Sequence, residues 1–397
     1  MTWASLALAV APVGRAVAAG ASPKFDVQTD QLTPAHRFTL LHNARIEKLT
    51  LAGGLAAKIG AANKKIAAAD IVTIRATSKP AAAAAGQWQL LLRNDDQWPG
   101  RPVGIKGQNF VFSAPGLGRL QVPLTQVLAM RRSSGLHVSR KPADHDTVFL
   151  KNGDALTGVF DTLAGSGIEF SSKLGKITIP LKRVRGLVLG GAAMRPPRKL
   201  RARVVLSSGL TLTTGYLNWP GGGTVQVKDP AGTILKIPAA NIRRIRMVGG
   251  RTNFLSRLTP SKITHVFYFS AERWPVQKNS NVLGQPLRVN GRVYHHGLGV
   301  HTSTTLTYAL GGKYKTLVIR PALDDSARPF GEARVSIAVD GKTVFQKTLH
   351  SEAPQNSAPP LALPLNGART LTLSAVSAGH AGVQGRVDFL HAALVKP

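Results

Sequence analysis

The sequence predicts an all-β protein, with small repeated β units followed by a larger β-sandwich or jelly roll. Three observations predict it. Apolar and polar residues alternate over short runs, and no stretch has the spacing of a long amphipathic helix. Turn formers are abundant, with 40 Gly and 25 Pro in 397 residues, as many short strands require. A register mark also recurs at a period of roughly 57 residues, the length of one supersecondary unit.

The chain starts with "WASLALAVAPVGRAVAAGA" (Trp3–Ala21), an apolar run followed by small residues. Ala16-Val17-Ala18 and Ala19-Gly20-Ala21 both fit an A-x-A cleavage pattern, so residues 1–21 read as a signal peptide. No Lys or Arg precedes the run, so either the signal is incomplete or the true start lies upstream. The expected location is the periplasm, the cell surface or the exterior. No other stretch approaches the ~20 apolar residues of a membrane helix.

The repeats follow, at 35–78, 87–134, 146–192 and 201–250, the first of them degenerate. "FLKNGDALTGVFDTLAGSGIEFSSKLGKITIPLKRVRGLVL" (Phe149–Leu189) shows the pattern. Asn152-Gly153-Asp154 is a turn signal, because Asn and Gly accept positive φ. Ile177 and Ile179 alternate with Lys176 and Thr178 as in a half-buried strand. Pro180 cannot donate to a ladder, so the strand ends there and "PLKRV" bends into the last strand. The register mark is this Pro with an apolar residue four positions on: Pro123 with Val127, Pro180 with Val184, Pro238 with Ile242. Ala67 and Ile71 hold the same places in the first copy. Through "FLKNGDALTGVF" the units resemble Sm-like and SH3-like small barrels. The second polar motif of Sm-like RNA sites is missing from "DTLAGSGIEF", so no RNA-binding residues are carried over.

After residue 250 the repeat ends, and 261–397 reads as one domain. Leu306, Tyr308 and Leu310 share a face, as do Val335, Ile337 and Val339, and Leu361, Leu363 and Leu365. Asp340-Gly341 and Asn366-Gly367 are turns between such runs. The elements in order are "LGQPLRVNGRVYHHGLGVHTSTTLTYALGGKYKTLVI", Asp324-Asp325, "VSIAVDGKTVFQ", "ARTLTLSAV" and "GRVDFLHAAL". Together they resemble the NPCBM domain, the carbohydrate-binding module associated with glycoside hydrolase family 98. The resemblance implies a galactose-binding-like jelly-roll β-sandwich and non-catalytic sugar binding. The sequence departs from the family at Ala322, where a Gly is usual, and in a closing motif that lacks Trp.

Sugar recognition uses an aromatic ring under a pyranose and polar groups on its hydroxyls. Trp274 and Tyr294 are the ring candidates. Asp324, Asp325 and Asp388 could accept sugar hydroxyls or ligate Ca²⁺ through oxygen. They could equally cap turns, and Asp388 could pair with Arg386. "VYHHGLGVH" holds His295, His296 and His301. In one extended strand His295 and His301 would share a face about 20 Å apart, too far for one Zn²⁺. His301 is read as bonding a neighbouring loop, with ligand contact as the alternative.

Composition excludes some chemistry. The chain has no Cys, hence no disulfide, thiolate metal site or cysteine nucleophile. Acids are scarce, at 19 Asp and Glu against 51 Lys and Arg. No catalytic residues are assigned, no cofactor is required, and the metal question is left at Ca²⁺. The net charge of +32 suggests a polyanion partner as the alternative function, either an acidic polysaccharide or, less favoured, nucleic acid. The excess is spread along the chain, 36 basic against 12 acidic residues before position 260 and 15 against 7 after it, so it marks no single tail. The expected function is therefore glycan binding by the C-terminal domain, with the repeats as spacer or interaction platform.

Overall fold

The structure, a computed structural model, describes residues 23–32, 38–78, 86–133, 136, 138–139, 143–165, 167–173, 175–192, 199–266, 274–379 and 382–397. The expected signal peptide lies outside the described residues. Those residues form β-strands and short 3-10 turns. No helix among them is long and apolar enough to cross a membrane.

The recurring Pro marks a 3-10 turn. Pro123 and Pro238 are the N-caps of Leu124–Gln126 and Ala239–Asn241, and Val127 and Ile242 are the C-caps four residues on. Ala67 and Ile71 bracket Ala68–Asp70 in the same way. Residues 181–183 turn after Pro180, and Val184 opens the next strand. A Pro fits the N-cap because its φ is fixed near the required value and the ladder has ended. The residue after the turn is driven by burial: Ile71, Val127, Val184 and Ile242 are all buried.

The strand two positions earlier in each stretch is long and bent. Bulges interrupt Phe38–Thr50 between Ile46 and Lys48, Gln97–Lys106 between Pro102 and Gly104, and Ala155–Ala164 between Phe160 and Thr162. The matching run after Leu210 breaks into Thr211–Thr214 and Leu217–Trp219. A bulge adds twist and bends the strand, so each sheet curls over its own side chains.

The strands that follow the 3-10 turns pair with each other. Val127–Arg132 runs antiparallel to Val184–Val188, with Met130 opposite Leu187. Ile242–Val248 runs antiparallel to Ile71–Ala76, with Ile245 opposite Ile74. Residues 24–76 and 201–248 thereby share one 11-stranded sheet, and residues 88–188 form a 10-stranded sheet. One hydrophobic core runs through both, from Phe25 to Met247. Across this core Asp96, fully buried, accepts from Thr213 N (2.6 Å) and Thr213 Oγ1 (2.8 Å), and lies 3.3 Å from Arg203 Nε.

The C-terminal unit is a sandwich of a six-stranded and a five-stranded sheet. Its core includes Leu306, Tyr308, Leu310, Val335 and Ile337, the inward faces that the alternation predicts. Asp340 and Gly341, both at positive φ, turn Glu332–Val339 into Lys342–His350. Thr252–Phe254 pairs with Arg386–Val395, so this sheet reaches back ahead of Ser261. Phe254, Val318 and Ala393 pack on Phe38 and Val72 of the 11-stranded sheet. Arg251 ties the same junction, 3.6 Å from Asp30 and 3.4 Å from Asp70.

Candidate functional site

The histidine stretch is not one extended strand, as the sequence suggested. Arg292–Tyr294 ends, His295 and His296 bend, and Gly297–His301 begins. Packing forces the break. A Cβ on Gly299 would sit 2.4 Å from Ser280 O, and one on Gly297 would sit 2.8 Å from Phe389 O, so the chain must be bare where it enters the sheet. The bend sends the histidines to opposite ends of the unit. His296 turns to the junction and stacks on Phe254, with ring centroids 4.1 Å apart. His301 stacks on Trp274 at 5.3 Å and 13°. Burial and the nearby Arg257, Arg246, His391 and Arg244 charges push His296 down to about 2, so it stays neutral.

The three candidate carboxylates point inward or onto backbone. Asp324 is buried and accepts from Asn281 Nδ2, Ser326 N and Arg288 N, each at 3.0 Å. Asp325 accepts from Asn290 N (2.7 Å) and Gly291 N (2.8 Å). Both therefore pin the hairpin formed by Leu287–Val289 and Arg292–Tyr294. Asp388 is 1% exposed and faces the Asp324 carboxylate, with which it can bond only when one of the two carries a proton. Burial first, then Asp324 and Asp325, push it well above the usual carboxylate range. As packed, Asp324 and Asp388 are out of reach of a ligand in solvent. Among the described residues no three His, Cys, Asp or Glu are grouped to hold a metal.

Tyr294 is also buried. It lines the junction and accepts a hydrogen bond from Arg320 (3.1 Å). Of the sequence candidates, Trp274, His301 and Arg386 come together: His301 and Arg386 are directly opposite in antiparallel register, and Trp274 covers the imidazole. Arg386 donates to Ser326 O. Beside them the sequence missed Phe330, which is 57% exposed, and Gln384, whose Oε1 accepts from Phe330 N at 3.0 Å. In sequence Phe330 looks like any core Phe; only its Pro329 and Gly331 neighbours hint at a loop. The result is two rings, an imidazole and a guanidinium at one end of the sandwich.

Residues 251–395 match the NPCBM/NEW2 domain model. The match covers the C-terminal sandwich and its leading strand. A curated relative from Renibacterium salmoninarum, named "Putative endo-alpha-N-acetylgalactosaminidase", is 27% identical over 96 residues, 24% of this chain. The chain spans 6% of that relative's length. Similar solved structures include a CBM51 from Clostridium perfringens GH95 in complex with methyl-galactose (19% identity, TM-score 0.32, covering 36% of this chain and 99% of that one). Another is the tandem CBM51 modules of a family 98 glycoside hydrolase from Streptococcus pneumoniae (12% identity, TM-score 0.31, 63% and 88% covered).

Proposed function

We propose that the protein is a non-catalytic glycan-binding protein of the cell envelope or exterior, and that the glycan docks at the sandwich end formed by Trp274, His301, Arg386 and Phe330. The observation that supports this most is the Trp274–His301 stack beside Arg386. It offers a flat aromatic face next to fixed polar donors, which is the chemistry a pyranose requires. Asp324, Asp325 and Asp388 act in this reading as the internal frame of the site. The chain ahead of it is read as four small β units, at 35–78, 87–134, 146–192 and 201–250, which act as one platform because they share a core.

The test is a glycan array with the full-length chain at high ionic strength, followed by titration of any binder with the Trp274→Ala protein. The reading predicts a saturable neutral binder and an affinity loss of about tenfold or more in the variant. An array without binders, or a variant that binds as well as the parent, would reject it.

A further inference from the structure

The C-terminal sandwich and the 11-stranded sheet meet around a space lined by both. A cavity of about 580 Å³ opens there, within the range of small-molecule sites. Its apolar wall is built from both units: Phe38 and Leu40 come from the sheet, Val293, Val318, Ile319 and Pro360 from the C-terminal unit. The rest is cationic or polar, including Arg75, Arg292, Arg320 and His296.

The cations outnumber the carboxylates. Asp26 is the one carboxylate lining the cavity among the described residues. It lies 3.4 Å from His42, accepts from Asn43 N at 3.1 Å and stands opposite Arg75 in antiparallel register. This one carboxylate therefore serves Arg75 and leaves Arg292 and Arg320 without one. Arg320 donates one N–H each from Nε, Nη1 and Nη2 to neutral oxygens, Ala358 O (3.1 Å), Tyr294 OH (3.1 Å) and Ser357 Oγ (2.8 Å). These bonds fix the guanidinium and leave the second hydrogens of Nη1 and Nη2 for a ligand. Arg292 sits over the Tyr294 ring. Arg75 stands directly opposite Arg244 in antiparallel register, and Arg244 Nε is buried without a hydrogen-bond partner. Like charges so placed destabilise a sheet. His296, 8% exposed, adds a buried Nδ1 with no hydrogen-bond partner to the same wall.

We propose that this junction cavity binds a sugar-sized ligand bearing a carboxylate or sulfate, with the oxyanion held by Arg75, Arg292 and Arg320 and the ring against the apolar wall. Guanidinium matches the geometry of such oxyanions. The volume exceeds what an inorganic ion would fill, and the apolar wall gives such an ion nothing to touch. The site is independent of the Trp274 end, so either reading can fail without the other.

The test is calorimetric titration and thermal unfolding of the full-length protein with digalacturonate, uncharged digalactose and sodium sulfate at physiological ionic strength. Digalacturonate should bind and raise the unfolding temperature, with digalactose at least tenfold weaker. Arg75→Leu and Arg292→Gln should each weaken digalacturonate about tenfold, as loss of a charge-assisted hydrogen bond does. Trp274→Ala should leave it unchanged. Arg292 is exposed, so its variant remains informative if Arg75→Leu fails to fold. Equal affinity for digalactose, full affinity in both arginine variants, sulfate binding as tightly as digalacturonate, or no binding of either anion would each overturn the proposal.

Discussion

Single side chains set the pH behaviour of this protein. Asp30 sits under the junction, where burial first and Asp70 second raise its carboxyl to about 6, with Arg251 opposing. A raised folded pKa means that the folded state holds the proton more tightly than the unfolded one. Its favourable contribution is complete below the unfolded value of 3.8 and is lost as pH rises to about 6. Asp30→Asn should therefore flatten the stability profile between those two values, as read by urea unfolding across that range. The same sign applies to Asp388. Asp388→Asn keeps the shape of the protonated acid, so it should match the parent near pH 4 and exceed it in stability at neutral pH. A variant less stable than the parent at both values would show that the ionised carboxylate is needed.

At the level of elements, the Pro-apolar step is a 3-10 turn with a buried residue at its exit. Ala67 occupies the Pro position with φ −62 and ψ 143, a conformation Pro adopts without strain. Ala67→Pro should stabilise the protein by about 0.4–1 kcal/mol through the unfolded chain, measurable as a higher urea midpoint. Loss of stability would mean that the Ala67 N–H has a role that Pro123 and Pro238 do not share. The hairpin of Leu287–Val289 and Arg292–Tyr294 shows the complementary case. Its geometry depends on Asp324 and Asp325, more than thirty residues away in sequence, which hold its turn and first strand by backbone amides.

Over the whole molecule, the platform and the sandwich are coupled through few contacts. Phe254 is central to them: it is 1% exposed, stacks on His296, meets Phe38 edge-on at 6.3 Å and lies under Arg257. Phe254→Ala should cost about 3–5 kcal/mol. Calorimetry should then resolve two unfolding transitions where the parent shows stronger coupling. A variant with the parent's single profile would place the coupling elsewhere, in Arg251 and its two aspartates. The same substitution removes the stacking partner of His296 and should weaken anion binding at the junction without affecting the Trp274 end.

The all-β class, the inward faces of the sandwich, the bend after the recurring Pro and the family of the C-terminal domain were legible in sequence, because each is written in local patterns: alternation, turn residues and a fixed Pro-to-apolar spacing. Trp274 and His301 were legible as residue types, but not as a stacked pair. Tertiary structure alone decided that the last strands pair crosswise into two sheets, that a bend splits the histidines between two ends, that Asp388 is sealed inside, and that Arg75 faces Arg244. These depend on contacts between residues far apart in the chain. Periodicity says which face of a strand is buried, but not which partner covers it, and charge becomes a site only where folding gathers it faster than it gathers counter-charge.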